Sequence, residues 1–326
     1  MELIWLEDFV ALAETGNFSR AAENRNVTQP AFSRRIRALE DWIGAPLFDR
    51  TANGVALTAA GQQFRTGADE LIRRIIQLRR EAREAGGKEA ATLRFAATHA
   101  LSFTFFPQWM RLLESRAPLG PIRLISDSMQ ACEELMLHGQ AQFLLCHHHA
   151  AAPGRFGSQF RSVVVGRDAL APFCAPDQAG KPRWTLSEDD ADIPYLGYSA
   201  ESGLGRILES QRFIDRATGL REVFSARLAA SLMPMARDGR GVAWLPATLA
   251  ELEVAEGRLV RAGGPEWEIP VDIRVFRPAA RQSLAAEGFW SELGAFRGVD
   301  GDPSPNTAHP RESGDPSDVS EDPLSA

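Results

Sequence analysis

Cysteine is scarce in this 326-residue chain, with only Cys132, Cys146 and Cys174 present. So few, and an odd number, exclude a disulfide framework and suit a reducing compartment. Long apolar runs are missing too. No segment approaches the roughly 18 apolar residues of a membrane-spanning helix. The N-terminus lacks the basic start and apolar stretch of a secretory signal. A soluble cytoplasmic protein is expected, with no membrane partner. Positive charge is not in excess either, and the net charge is −7. That balance is local. Between Asp300 and Ala326, seven acidic residues stand against Arg311 alone. The rest of the chain is therefore nearly neutral, and nucleic-acid affinity would depend on where arginines sit. A catalytic constellation is also lacking, so no enzyme is expected. Cys146-His147-His148-His149 is the one metal-like cluster. Adjacent residues of an extended segment point to opposite sides, so at most Cys146 with His148, or His147 with His149, can share an ion. No companion ligand motif accompanies them. Neither a metal nor a cofactor is expected.

What is present is concentrated in Ser19 to Leu39, which reads as two short helices joined by a tight turn. Ser19 is the candidate N-cap of the first. Thr28 is that of the second, with Pro30 in its first turn, where a missing N–H costs nothing. At about 100° per residue, Phe32, Ile36, Leu39 and Ile43 share one side of the second helix. Pro30, Arg34 and Arg37 take the opposite side, with Gln29 and Ser33 on its shoulder. An apolar back and a Gln/Ser/Arg front suit the major groove of B-DNA. Gln and Arg read base edges bidentately, while Ser and the helix N-terminus contact phosphate.

The surroundings extend the pattern. Trp5, Leu6, Phe9, Leu12 and Ala13 form an apolar helical stripe before it, followed by the turn Thr15-Gly16-Asn17. After it, Asn53-Gly54 is a strong hairpin signal. The segment reads as a two-stranded wing with Arg50 at its base. Asn17-Phe18-Ser19-Arg20-Ala21-Ala22, Thr28-Gln29-Pro30-Ala31-Phe32-Ser33-Arg34, Leu47-Phe48, Arg50 and Leu57-Thr58-Ala60-Gly61 together resemble the LysR-type transcriptional regulators. The resemblance implies binding of double-stranded promoter DNA by a homodimer or homotetramer. It implies DNA contacts at Ser19, Arg20, Thr28, Gln29, Pro30, Ser33, Arg34, Arg37 and Arg50.

One long helix follows, from about Thr58 to Ala85. Phe64, Ala68, Leu71, Ile75, Leu78, Ala82 and Ala85 alternate spacings of four and three, a heptad seam that wants a partner helix. In the family this element pairs two subunits. Gly86-Gly87 ends it. From Thr92 onward, short apolar runs alternate with helical stretches. Strands are expected at Thr92–Ala97, Ile122–Ser126 and Phe143–Cys146, with helices at Phe103–Ser115 and Met129–His138. A second set has strands at Val163–Val165, Ala169–Cys174, Tyr195–Tyr198, Val223-Phe224 and Val242–Trp244, with helices at Leu204–Arg216 and Leu228–Asp238. The alternation implies a largely parallel sheet. The chain closes with a strand at Ile269–Phe276 and a helix at Gln282–Phe296.

The fold class is thus α+β and multi-domain. It comprises an N-terminal winged helix-turn-helix (1–57), a linker helix (58–87), a two-lobed α/β domain (88–297) and an acidic, Gly/Asp/Pro/Ser-rich tail (298–326). The family's effector domain is similar to periplasmic binding proteins. In open α/β sheets, ligands sit beyond the carboxyl ends of strands and at helix N-termini. Thr98, His99, Ser102, Ser128, Cys146, His147, Tyr198 and Ser199 occupy such places and are the candidate effector residues. The effector would be a small anion or polar metabolite. Ala96-Ala97-Thr98-His99-Ala100-Leu101-Ser102 and Gly239-Arg240-Gly241-Val242-Ala243-Trp244-Leu245-Pro246 further resemble the hypochlorite-responsive members. That implies sensing of an oxidant through sulfur, with Met110, Met129, Met136, Met233 and Met235 as candidates. Leu204 and Leu228 stand where methionine is expected in such a sensor. A different class, a small-molecule binding protein with a vestigial DNA-binding domain, is the alternative.

Overall fold

The structure is a computed structural model. It describes residues 2–51, 54–86, 92–152, 154–157, 159–186, 192–211 and 219–297. Asn53, Gly87, residues 212–216 and the acidic tail, all named above, lie outside the described residues.

Three helices and a wing form the first module: α1 (Leu3–Thr15), α2 (Phe18–Asn24), α3 (Gln29–Ile43), β1 (Phe48–Thr51) and β2 (Gly54–Leu57). Phe9, Leu12, Ala21, Phe32, Ile36, Leu39 and Leu47 are sealed from solvent in one core. The apolar stripe of α3 is therefore the face it buries. The expected N-cap of α2 is corrected. Asn17, not Ser19, caps it, its Oδ1 accepting from the Ser19 and Arg20 amides at 2.9 and 3.1 Å. An Asn side chain is short enough to fold over the amides two and three residues ahead of it, which are free in a first turn. Thr28 does hold the N-cap position of α3, but only its carbonyl bonds, accepting from Phe32 at 3.0 Å. Gly44, at φ +81°, lets the chain leave α3 through a left-handed conformation. β1 and β2 pair antiparallel. Gly54 (φ +128°) lies so close to the α1–α2 turn that an added Cβ would meet the Gly16 carbonyl oxygen at 2.7 Å.

The linker helix α4 (Ala59–Ala85) runs 27 residues, about 40 Å. The single seam read from the sequence divides into stripes with different neighbours. Phe64, Ala68, Ile72 and Ile76, four apart, pack on the first module. Asp69, Arg73 and Gln77 face the effector module, where Arg73 and Gln77 bond it directly. Leu71, Ile75 and Leu78 are 47, 37 and 47 % exposed, with Leu71 at the edge of the cleft between α4 and the effector module. Phe64 and Ala68 therefore leave the expected intersubunit seam, because the apolar face of their own module lies against them.

The effector module has two lobes. In the first, β3 (Leu93–Thr98) pairs parallel with β4 (Ile122–Asp127) and β5 (Phe143–His148). Around them lie α5 (His99–Thr104), α6 (Phe106–Glu114) and α7 (Met129–Leu137). The helix expected over Phe103–Ser115 is two helices. Pro107 has no N–H to return to Phe103, so the ladder restarts there. The strands expected at Val163–Val165 and Ala169–Cys174 are one, β6 (Phe160–Cys174). It stays extended because β11 (Ile269–Pro278) pairs with it antiparallel from Phe160 to Leu170. These two strands carry the chain between lobes. The second lobe adds β7 (Ile193–Tyr198), β8 (Leu220–Ala226), β9 (Ala243–Pro246) and β10 (Val260–Arg261). Its helices are α8 (Gly203–Ser210), α9 (Ala229–Arg237) and α10 (Ala247–Ala255). α8 covers the first part of the helix expected from Leu204, and the remainder, residues 212–216, lies outside the described residues. Helix α11 (Leu284–Arg297) returns to the first lobe, where Phe289 packs edge-on against Phe95.

Candidate functional site

Two sites take shape. The first is the outer face of α2 and α3. Ser19, Arg20, Thr28, Gln29, Pro30, Arg34 and Arg37 are exposed, and Ser33 is half-buried beside them. The arginines of this module sort into two groups. Arg25 and Arg35 converge on the buried carboxylate of Asp8 at 2.9 and 3.3 Å, and Arg25 also reaches Glu7. Those bonds, with the nearby carboxylates, hold the Arg25 guanidinium above its usual value against the opposing effect of burial. Arg35, next to Arg34 in the chain, ties α3 to α1. Arg20, Arg34 and Arg37 have no carboxylate partner among the described residues. Three solvated cations on α2 and α3 are ready to displace counterions from phosphate. Arg50 lies in β1, on the wing.

The second is a small cavity of about 40 Å³ between the lobes. Thr98, His99, Asp127, Ser128, Met129 and His147 line it from the first lobe. Ser202, Gly203, Leu204, Arg227, Leu228 and Ala229 line it from the second. Helices α7, α8 and α9 all start at its wall. Helix starts leave amide N–H groups unpaired and carry partial positive charge. Ser128 and Ser202 cap two of them, accepting from Ala131 and Gly205 at 3.3 Å each. The Thr98 hydroxyl is buried with no hydrogen-bond partner among the described residues. Arg227 brings a full positive charge and Asp127 a negative one. Asp127 is already engaged, accepting from the Ser128 amide at 2.6 Å. Glycine at 203 is required by the closeness of the lobes: an added Cβ would sit 2.8 Å from the Met129 Cβ.

His147 is buried and its Nε2 is bonded to Asp168 at 3.0 Å. Asp168 also accepts from the Thr248 hydroxyl at 2.6 Å and from the Ala169 and Thr248 amides. Burial alone would raise the Asp168 carboxyl. The bonds and charge of His147, with those of Thr248 and Ala169, outweigh it and hold the carboxyl below its ordinary range. This network joins β5, the crossing strand β6 and α10.

Of the eight effector residues read from the sequence, the cavity gathers four: Thr98, His99, Ser128 and His147. The other four are turned away. Ser102 bonds to the His99 carbonyl and to Ser126. Ser126 in turn bonds His99 Nδ1 at 2.9 Å. Cys146 packs in the core beside Cys132, its thiol pushed far up by burial. Tyr198 donates its hydroxyl to the Trp244 carbonyl at 2.7 Å, inside the second lobe. Ser199 supplies the backbone turn before α8. Sequence reasoning missed Asp127, Met129, Ser202, Arg227 and Ala229 as wall residues. Ser202 before a Gly-rich helix start was the available signal. Arg227 had none, because the end of β8 is not marked locally. No group of three metal-ligating residues occurs among the described residues. No helix among them is long and apolar enough to cross a membrane.

A winged helix-turn-helix joined by a helix to a two-lobed cleft domain defines a class: effector-responsive DNA-binding regulators. Family models match both parts. One, for the bacterial regulatory helix-turn-helix protein of the lysR family, covers residues 3–62. The other, for the LysR substrate binding domain, covers residues 86–297. The chain belongs to the LysR family and is a DNA-binding transcriptional regulator with an effector-binding domain. It is 30% identical over 293 residues to the HTH-type transcriptional regulator YjiE of Escherichia coli K12, covering 90% of this chain and 94% of that one. It is similar to the crystal structure of Vibrio fischeri DarR in complex with DNA, at 32% identity and TM-score 0.53 over 90% of this chain and 98% of that one. Full-length HypT from Salmonella typhimurium, described as a hypochlorite-specific LysR-type regulator, is 30% identical with TM-score 0.54, over 91% and 98% of the two chains.

Proposed function

We propose that this regulator binds promoter DNA as a homo-oligomer and that a small anion in the inter-lobe cavity modulates that binding. The reading face of α3 is set by the solvated Arg34 and Arg37 with Gln29 and Ser33, while Ser19, Arg20, Thr28 and Pro30 lie along its phosphate-facing edge. Arg50 on the wing adds a phosphate contact. Leu71, Ile75 and Leu78 form the apolar stripe against which a second copy packs, burying side chains that water otherwise meets.

The observation that carries the effector reading is the convergence at the cavity. Three helix N-termini, Arg227 and the unpartnered Thr98 hydroxyl face one space. Each favours negative charge or an acceptor atom. Bromide is a suitable probe, since its anomalous scattering locates it directly. Crystals of the full chain grown with sodium bromide should show an anomalous peak within hydrogen-bond reach of Thr98 and Arg227. A peak elsewhere, with none in the cleft, contradicts the reading.

A second reading has its own observation. Met129 lines the same cavity, so an oxidant admitted there meets a thioether. Oxygen transfer from hypochlorite to that sulfur yields the sulfoxide and chloride, and turns an apolar wall polar. Mass spectrometry of the chain treated with one equivalent of hypochlorite tests it. Preferential oxidation of Met129 over Met110 and Met136 supports it; uniform oxidation does not.

A further inference from the structure

Helix α7 has one end at the cavity and the other at the linker helix. Ser128 caps its start, in the cavity wall. At its finish the carbonyls of Leu135 and Met136 are taken by the amides of residues 139–141. The carbonyl of Leu137 is taken by Arg73 of α4, whose Nη1 donates to it at 3.4 Å. Nη2 of the same guanidinium donates to Gln159 Oε1 at 3.2 Å, and its carbon stands 5.7 Å from the Phe160 ring centre. Gly139, at φ +65°, brings the backbone against the Arg73 stem. One turn further along α4, Gln77 donates to the Arg281 carbonyl at 2.7 Å. A cation is therefore placed at the negative end of the α7 dipole, from another module, opposite the end that faces the cavity. Nine residues separate the two ends, about 13 Å.

We propose that Arg73 is the positioning residue through which α7 couples the cavity to the DNA-reading module of the same chain. A rigid helix cannot tilt or slide at its start without moving the carbonyl that Arg73 holds. The α4 residues Ala68 and Ile72, on either side of the same turns, are buried in the core of the DNA-reading module. Motion is thus passed from cavity wall to α7, to Arg73, to α4, to α1. The inference rests on the cavity being the effector site, but the coupling is measurable without an effector. Linkage is reciprocal: whatever lets an effector change DNA binding lets DNA change the cavity wall.

The test is amide exchange of the full chain, with and without a 60-base-pair duplex taken from immediately upstream of its own coding sequence. In the wild type, DNA should slow or speed exchange in residues 128–137 several-fold. Arg73→Ala should remove most of that response while the duplex still binds with an affinity within about threefold. Gln159→Ala, which deletes one acceptor and buries no charge, should remove part of it and guards against a folding defect in the first variant. Arg73→Lys should restore part, because one ammonium can hold the carbonyl but not the forked geometry. A wild-type segment indifferent to DNA, or a full response in Arg73→Ala or in Gln159→Ala, overturns the proposal. Sodium bromide added to the same samples separates the two readings. Bromide that leaves exchange at the start of α7 unchanged counts against the cavity alone. Bromide protection combined with an unaltered DNA response in Arg73→Ala counts against Arg73 alone.

Discussion

The DNA-reading module and the effector module solve recognition in opposite ways. In the first, all the proposed contact residues except Arg50 on the wing lie within Ser19 to Arg37, on two helices held by one turn. Their side chains carry the chemistry, and their orientation follows from helical period. In the second, the wall is drawn from Thr98, Ser128, His147, Ser202 and Arg227, spread over some 130 residues. Much of its chemistry is backbone, at the starts of three helices. The first arrangement is read from a string of residues. The second exists only once two lobes have met.

The modules also differ in how a substitution propagates, and that difference can be broken deliberately. The largest effect is expected at the junction of the lobes. Asp168→Asn leaves His147 and Thr248 without their shared anion, and should destabilise the effector module by about 3 kcal/mol. The melting step of the DNA-reading module should stay in place. Calorimetry that showed both steps moving together would contradict the separation. The sign with pH follows from the same group. Asp168 titrates below its unfolded range, so its contribution is full at neutral pH. It is lost as pH falls through the ordinary carboxylate range to the lower folded value. The wild type should lose stability there faster than Asp168→Asn.

Arg34→Ala should weaken specific DNA binding by about 1–3 kcal/mol and relax site preference, with bromide uptake unchanged. Gel shifts on matched and scrambled duplexes check it; equal loss on both would reassign Arg34 to phosphate. Gly203→Ala forces Met129 aside. It should cost about 1–2 kcal/mol in the effector module and lower bromide affinity, read by calorimetry and bromide titration. The smallest effect belongs to the corrected cap. Asn17→Ala should cost about 1 kcal/mol in the first module, and Ser19→Ala much less. Equal losses in denaturant melts would restore Ser19 as the cap.

These contrasts also explain what the sequence made legible. The helix-turn-helix, its buried face, the wing and the βα alternation follow from local period and turn chemistry, and all are present. The errors have tertiary causes. Phe64 and Ala68 fit a heptad seam equally well whether the neighbour is a second copy or their own module. Tyr198 follows a strand, as a ligand residue would, yet its hydroxyl finds the Trp244 carbonyl, 46 residues later. Arg35 and Arg34 are neighbours in sequence, and only the position of Asp8 on α1 separates the structural arginine from the free one. In each case the deciding partner is distant in the chain.

The central claim is that an anion in the cleft alters DNA binding through the fold. It is tested most directly by fluorescence anisotropy of the full chain on its own upstream duplex, with bromide replacing an inert anion at constant ionic strength. The account predicts a DNA affinity that changes at least threefold and saturates with bromide in the wild type, and a flat response in Arg227→Ala. An affinity independent of bromide in the wild type, or an equal response in both proteins, would contradict it.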